Sequence, residues 1–236
     1  MDPNLLKKLN AERQARRAAI LVTDLGDGRD RLVREGDSVS GELGTALEKA
    51  FRSGKSGTIE AEGRSFFLNA HLPPPRLVAI GAVHISQALA PMARIAGFDI
   101  EIIDPRTAFA TEARFPDVPL FAEWPEDVLK NRPFDAYTGV AALTHDPKID
   151  DFALKSALKT GCFYVGALGS RKTHAKRVER LTAMGVTAEE IGRIHSPIGM
   201  NIGAASPAEI AVAVLAEIVA AFRSRGMAAE TTEKAA

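Results

Sequence analysis

Two patterns of apolar and polar positions divide the chain. Up to residue 72, short alternating stretches are interleaved with helical spacing. A helix is predicted over 3–16, with Leu5, Leu6 and Leu9 on one face, and Ala18 to Thr23 follows as a short strand. Gly26-Asp27-Gly28 turns the chain into a returning strand at Arg31-Leu32-Val33. Leu43, Leu47 and Phe51, spaced by four, predict a helix over 41–52. Thr58–Ala61 and Ser65–Asn69 form a second hairpin turning at Glu62-Gly63. So small an α+β unit is expected to have a shallow core and to lean on the rest of the chain or on a partner.

Pro73-Pro74-Pro75 stiffens the chain and stops any helix. Beyond it, short apolar runs alternate with helical segments, the pattern of parallel βαβ units. Strands are expected at 77–80, 99–103, 136–143 and 162–167, and helices at 84–96, 125–131, 149–159 and 171–184. Thr187-Ala-Glu-Glu190 and Ser206-Pro-Ala-Glu209 fit the capping box, in which hydroxyl and carboxylate satisfy each other's free amides. The last helix turns Ile210, Val214, Ile218 and Phe222 inward and stops near Gly226. The fold class is therefore α/β: a small α+β N-terminal domain over 1–72, a Rossmann-like parallel-sheet domain over 73–225, and a tail over 226–236 expected to be disordered.

Composition narrows the function classes. Thirty basic and thirty acidic residues cancel, so no global field favours nucleic acid or an anionic membrane. The apolar stretch from Ala211 to Phe222 is interrupted by Glu217 and is too short to span a bilayer. The N-terminus is charged from the start and has no signal-peptide core, so a cytoplasmic protein is expected. Cys162, the only cysteine, excludes an intramolecular disulfide, and inside a predicted strand it reads as an inert buried thiol. His71 and His174 read as ordinary surface residues.

In an open parallel sheet, ligands bind beyond the carboxyl ends of the strands. Five clusters fall there. Gly81-Ala-Val83-His84-Ile-Ser86 has the first glycine of a dinucleotide loop, but Val83 stands where the second belongs; a β-branched side chain resists positive φ and fills the phosphate's space. Asp104 follows Gly81 by 23 residues, near the ~20 expected of a carboxylate that holds a ribose hydroxyl. Arg106 either pairs with Asp104 or grips a phosphate, and the two readings carry equal weight. In Thr144-His145-Asp146, His145 offers acid–base or hydrogen-bonding chemistry, while the favoured plain reading makes Thr144 and Asp146 helix caps. Gly166-Ala-Leu-Gly169-Ser170-Arg171-Lys172 opens a helix with a hydroxyl and two cations, either an anion cradle or a tight turn before a solvated basic face of Lys176, Arg177 and Arg180. The run from His195 through Gly199, Asn201 and Gly203 is long and nearly uncharged, as functional loops and tight crossovers both are. No catalytic constellation is evident.

These clusters, in this order, resemble the C-terminal half of the XdhC/CoxI proteins, accessory factors of xanthine dehydrogenase and related molybdenum hydroxylases. Gly81-Ala-x-His84, Asp104-Pro-Arg106, Thr144-His-Asp146, Tyr164-Val-Gly-Ala-Leu-Gly-Ser-Arg171 and His195-Ser-Pro-Ile-Gly199 to Ile202-Gly-Ala204 carry the likeness over 73–225. It implies a chaperone rather than an enzyme: a protein that binds the molybdenum cofactor (molybdopterin), protects it during sulfuration and helps insert it into an apo-enzyme. The implied partners are a molybdenum hydroxylase apo-enzyme, a cysteine desulfurase, and a second copy or a paralogue. The implied cofactor-site residues are Gly81, His84, Asp104, Arg106, Thr144, His145, Asp146, Gly166, Gly169, Ser170, Arg171, Gly199, Asn201 and Gly203. Val83 in place of glycine argues against NAD(P) and the oxidoreductase alternative. Asn201 replaces a common aspartate, and Ser40-Gly-Glu-Leu-Gly44 only faintly echoes the family's N-terminal motifs, so the chain reads as a short or divergent form. An interaction protein without a ligand is the third reading.

Overall fold

The computed structural model describes residues 2–225 and divides into two compact units. One runs to Pro73 and takes in the described chain from Arg223; the other spans Pro74–Phe222. The expected tail over 226–236 lies outside the described residues.

In the first unit, α1 (Pro3–Gln14), β1 (Ala19–Asp24), β2 (Asp30–Arg34), α2 (Gly41–Ser53), β3 (Gly57–Ala61) and β4 (Arg64–His71) follow in order. The strands form an antiparallel sheet in the order β2-β1-β4-β3. The two hairpins are those that the turn residues predict, and pairing of β1 with β4 joins them, with Ile20 opposite Ala70 and Val22 opposite Leu68. Pro3 opens α1 behind the Asp2 cap, whose carboxylate accepts from the Asn4 amide. Leu43, Leu47 and Phe51 of α2 are buried, as their spacing requires.

The second unit contains β5 (Arg76–Ile80), α3 (His84–Ile95), β6 (Asp99–Ile103), β7 (Leu120–Phe121), α4 (Pro125–Asn131), β8 (Thr138–Ala142), α5 (Pro147–Lys159), β9 (Tyr164–Ala167), α6 (Arg171–Ala183), α7 (Ala188–Gly192), β10 (Ile194–His195) and α8 (Pro207–Ser224). All six strands are parallel, in the order β10-β9-β8-β5-β6-β7. Every residue of β5 and β8 is buried, which explains the apolar runs over 77–80 and 139–142: helices cover both faces, while the buried Arg76 at the start of β5 donates to Thr138 of β8. Successive residues point to opposite faces. Leu77 and Ala79 therefore join α3 and α8 through Leu89, Ala93, Val214 and Ile218. Val78 and Ile80 face α5, α6 and α7 through Leu154, Leu158, Leu181 and Ile191.

Both capping boxes form. Thr187 and Glu190 exchange bonds at the start of α7, and at α8 the Glu209 amide donates to Ser206 Oγ while the Ser206 amide donates to Glu209 Oε2. Several boundaries move by a residue or two, as where β8 begins at Thr138 rather than 136 and α5 at Pro147 rather than 149, and the larger differences concern strands. The strand expected over 162–167 begins at Tyr164, so Cys162 lies in the turn before β9, where it is still fully buried. β7 and β10 have two residues each, too few for any periodicity to reveal. Among the described residues no helix is long and apolar enough to cross a membrane.

Leu154 is fully buried where α5 packs on the sheet. Leu154→Ala is expected to cost about 2–5 kcal/mol, read as a lowered denaturation midpoint; an unchanged midpoint would mean that α5 is not packed there.

Candidate functional site

β5 is the first parallel strand and lies in mid-sheet. The chain runs out through β6 and β7, then returns to the other side of β5 as β8, β9 and β10. Strand order therefore reverses between β5 and β8, and the five sequence clusters all follow strands at the same edge of the sheet, the carboxyl edge where such folds bind ligands.

Gly81 leaves β5 with φ of 119°, a value that L side chains avoid, and a Cβ there would sit 2.8 Å from Thr144 Cγ2. The loops after β5 and β8 are pressed together, and this glycine serves their contact. Val83 corrects one expectation. It is the N-cap of α3 with φ −103° and ψ 175°, extended backbone that valine adopts freely, so no positive φ is resisted. It provides no side-chain cap, which leaves the amides at the start of α3 without a side-chain acceptor from Val83. His84 beside it is exposed, and Ser86 turns inward to donate to the Gly81 carbonyl.

Asp104 is 0% exposed. It accepts from the Ala82 amide at 2.7 Å, the Arg106 amide at 2.9 Å, and Arg106 Nε and Nη2 at 2.9 and 2.7 Å. Burial pushes its carboxyl up, but the Arg106 pair and the two amides outweigh burial and hold it below the usual range. Of the two readings of Arg106, the ion pair is the one formed. The guanidinium remains about one-third exposed and lies over the Phe109 ring at 4.8 Å. Both Asp104 oxygens are committed to binding the β6 loop to the β5 loop. Sequence reasoning missed Arg114, which donates to the Ala82 and Phe109 carbonyls and to Gln87, each at 2.8 Å, and so braces the same loops. No spacing rule marks it.

After β8, the capping reading holds geometrically. Asp146 accepts from the Lys148 amide at 3.0 Å, and Thr144 Oγ1 accepts from the Asp146 amide at 2.9 Å. Thr144 Oγ1 also donates to the buried Asp150 at 2.7 Å. The turn puts His145 in the left-handed region, φ 63°, with its side chain exposed. His145 joins Lys172 in lining a cavity of about 240 Å³ between α5 and α6. After β9, Gly166 allows a close approach, since a Cβ there would meet Tyr164 Oη at 2.5 Å and Ile198 at 2.7 Å. Gly169 has φ 134°, and Ser170 caps α6 by accepting from the Thr173 amide at 3.2 Å. Arg171 is exposed.

The loop after β10 is held by a carboxylate that sequence reasoning noticed only as an interruption. Glu217 accepts from the Tyr164 hydroxyl at 2.6 Å and from the Gly199 amide at 2.8 Å, and lies 3.1 Å from His195 Nδ1. Gly199 (φ 93°) lets the loop lie on α8, where a Cβ would approach the Val214 amide at 3.0 Å. Asn201 and Gly203 lie on an exposed stretch and do not line the α5–α6 cavity. A charge inside an otherwise apolar helical run was the available signal for Glu217. His71 and His174, expected on the surface, are half-buried, and burial pushes both imidazoles below their ordinary value.

The model of the XdhC Rossmann domain matches residues 77–218, more than half of the chain. The chain belongs to the XdhC family. Among similar proteins, YqeB of Escherichia coli K12 is 36% identical over 66% of this chain and 29% of its own length. A probable xanthine dehydrogenase subunit of Bacillus subtilis is 32% identical over 66% and 45%, and the molybdenum cofactor insertion chaperone PaoD of Escherichia coli K12 is 31% identical over 62% and 40%. This XdhC-family chain thus spans less than half the length of the curated relatives it matches. The crystal structure of a protein described as a xanthine dehydrogenase from Bacillus halodurans superposes with a TM-score of 0.63 at 25% identity, covering 94% of this chain and 65% of that one.

Two expected outcomes test this geometry. Burial pushes the Asp150 carboxyl up from 3.8 to about 6, against the opposing pull of Thr144 and Arg177. The folded state then holds a proton that the unfolded chain has released, so stability falls as pH rises between those values. Asp150→Asn, which keeps an acceptor for Thr144, is expected to flatten that pH dependence and to raise stability at pH 7 by on the order of 1–3 kcal/mol; a profile parallel to the wild type would refute the assignment. Glu217→Ala leaves the Tyr164 hydroxyl and the Gly199 amide without their acceptor and is expected to cost about 1–3 kcal/mol, with Glu217→Gln losing less. Equal stability of all three proteins would rule out the network.

Proposed function

We propose that this XdhC-family protein binds the molybdenum cofactor and acts as an accessory factor in its sulfuration and insertion into a molybdenum hydroxylase of the xanthine dehydrogenase or carbon monoxide dehydrogenase type. The observation that carries the reading is the crevice at the strand-order reversal, where the amides at the start of α3 lack a side-chain cap and the part-exposed Arg106 guanidinium lies close by in the fold. Amides and a guanidinium suit the phosphate and the polar edge of a pterin. The names of the Bacillus subtilis relative and of PaoD point the same way.

The donor set fits the organic part of the cofactor. Among the described residues no three His, Cys, Asp or Glu side chains are grouped as a metal-ligand set, so the protein would hold the cofactor by its pterin and phosphate. The cofactor supplies oxygen-transfer chemistry once it is in the client enzyme. Cys162 is buried, with its thiol pushed up to about 11 by burial, and is unsuited to carrying sulfur. The sulfur then comes from a separate donor of the cysteine desulfurase type. In this reading the protein acts in the cytoplasm as a homo-oligomer or beside a paralogue, and is a chaperone rather than an enzyme. The committed Asp104 carboxylate and Val83 weigh against a nicotinamide dinucleotide, whose ribose would need a free acceptor.

Anaerobic incubation with released molybdenum cofactor, followed by gel filtration and assay of pterin fluorescence and molybdenum in the protein peak, tests the reading. Stoichiometric retention is expected, weakened about tenfold in Arg106→Lys, which keeps the charge but loses the paired donors. Folded protein that emerges free of pterin would sink it.

A further inference from the structure

The cavity between α5 and α6 adjoins the crevice described above: Thr144 packs on Gly81 and donates to Asp150, which lines the cavity. Lys172, Lys176 and Arg180 recur every four residues along α6 and so share one face of it, which forms one wall. Arg180 is committed to Asp151, with Nε and Nη2 at 2.5 and 3.1 Å from its two oxygens. Lys172 and Lys176 form no ion pair among the described residues, and both are exposed. Arg177 also lines the cavity but is only 2% exposed. Its Nη2 donates to the Leu168 carbonyl at 2.7 Å and its Nη1 to Ser196 Oγ at 3.4 Å, while its buried Nε has no partner among the described residues. An unsatisfied buried donor costs about 1–3 kcal/mol, more when charged, so this guanidinium is held in the cavity wall with its hydrogen bonding incomplete.

The charges facing this space are unequal. With Arg180 and Asp151 paired, Lys172, Lys176 and Arg177 remain against Asp150 alone, and burial already disfavours Asp150's charge. His145 adds an imidazole from the opposite loop. At about 240 Å³ the cavity is smaller than the ~300–1,000 Å³ of pockets that enclose whole drug-sized ligands or cofactors. It suits a small anion or the anionic end of something larger.

We infer that the α5–α6 cavity is a phosphate-monoester site beside the β5–β8 crevice, in which Lys172 and Lys176 neutralise the dianion and the buried Arg177 guanidinium adds positive charge from the wall. Ser170 already caps α6, so the row of cations rather than the helix end defines the site. The site does not depend on the cofactor reading. An ester phosphate could belong to a pterin or to a nucleotide, and the chemistry of recognition is the same.

The test is calorimetric titration of the intact chain with inorganic phosphate at low salt. Saturable binding is expected, weakened at least about tenfold in Lys172→Ala/Lys176→Ala, whose exposed positions leave the fold intact, and tightened severalfold in Asp150→Asn. The part of the binding that Lys172→Ala/Lys176→Ala removes should persist in Arg106→Lys, whatever that variant does to phosphate held in the crevice. No saturable binding, or affinity that the lysine variant leaves intact and Arg106→Lys abolishes, overturns the proposal. Competition by molybdopterin or by adenosine monophosphate then tells the two sources of the ester apart; failure of both to compete overturns the assignment to a monoester. Cofactor retention in the experiment above, with no phosphate binding here, would reject this site and leave the cofactor reading standing.

Discussion

A carboxylate with no solvent exposure must be paired or protonated, because an isolated buried charge is prohibitively costly. Asp104 meets that demand with four donors, two backbone amides and two guanidinium nitrogens, drawn from the loops after β5 and β6. The shape of the crevice depends on this. Ala82 is held by Asp104 at its amide and by Arg114 at its carbonyl, so the β5 loop has little freedom to move. Gly81 then comes close enough to Thr144 that no side chain could intervene. A residue whose spacing suits a ligand contact has become the internal fastening of the site.

Two other carboxylates at the same edge meet the cost of burial differently. Glu217 collects Tyr164 and the Gly199 amide beside His195, and thereby fixes the β10 loop against α8. Asp150 has only the Thr144 hydroxyl as a close partner, with Arg177 acting at longer range, and its carboxyl is driven up toward neutrality. Two of the three carboxylates therefore serve as structural fastenings. The third is a carboxyl whose charge burial disfavours while Arg177 pulls the other way, and it sits in the same cavity as two lysines that form no ion pair among the described residues. The carboxyl edge is rigid at its two ends and electrostatically unfinished between them.

Much of this was legible in the sequence where local physics decides the outcome. The runs of β5 and β8 could only be buried parallel strands, Pro73-Pro74-Pro75 had to interrupt regular structure, and Thr187-Glu190 and Ser206-Glu209 advertised helix starts. What escaped depends on partners distant in the chain. β7 and β10 are strands only because Ile102 and Val165 offer them edges to pair with. Pairing of β1 with β4, far apart in the chain, is invisible to periodicity. Glu217 looked like a flaw in an apolar helix because Tyr164 lies 53 residues away. Arg106 is a different case: its partner Asp104 is two residues away, and what the sequence did not show is that Asp104 is wholly buried and so needs that partner.

Val83 shows how a motif can mislead about its own cause. In a dinucleotide loop the second glycine is explained by the approach of a phosphate to the backbone, and its replacement was expected to strain the turn. Here the backbone at Val83 is extended, so the turn needs no glycine, and the side chain packs against the core beside α3. What valine changes is therefore the space above the loop, not the loop itself. An anion at the uncapped amides of α3 would meet a half-buried valine where a dinucleotide loop offers no side chain. Under the proposed cofactor reading, that condition favours a ligand anchored at one end by the Arg106 guanidinium over a pyrophosphate laid flat across the turn.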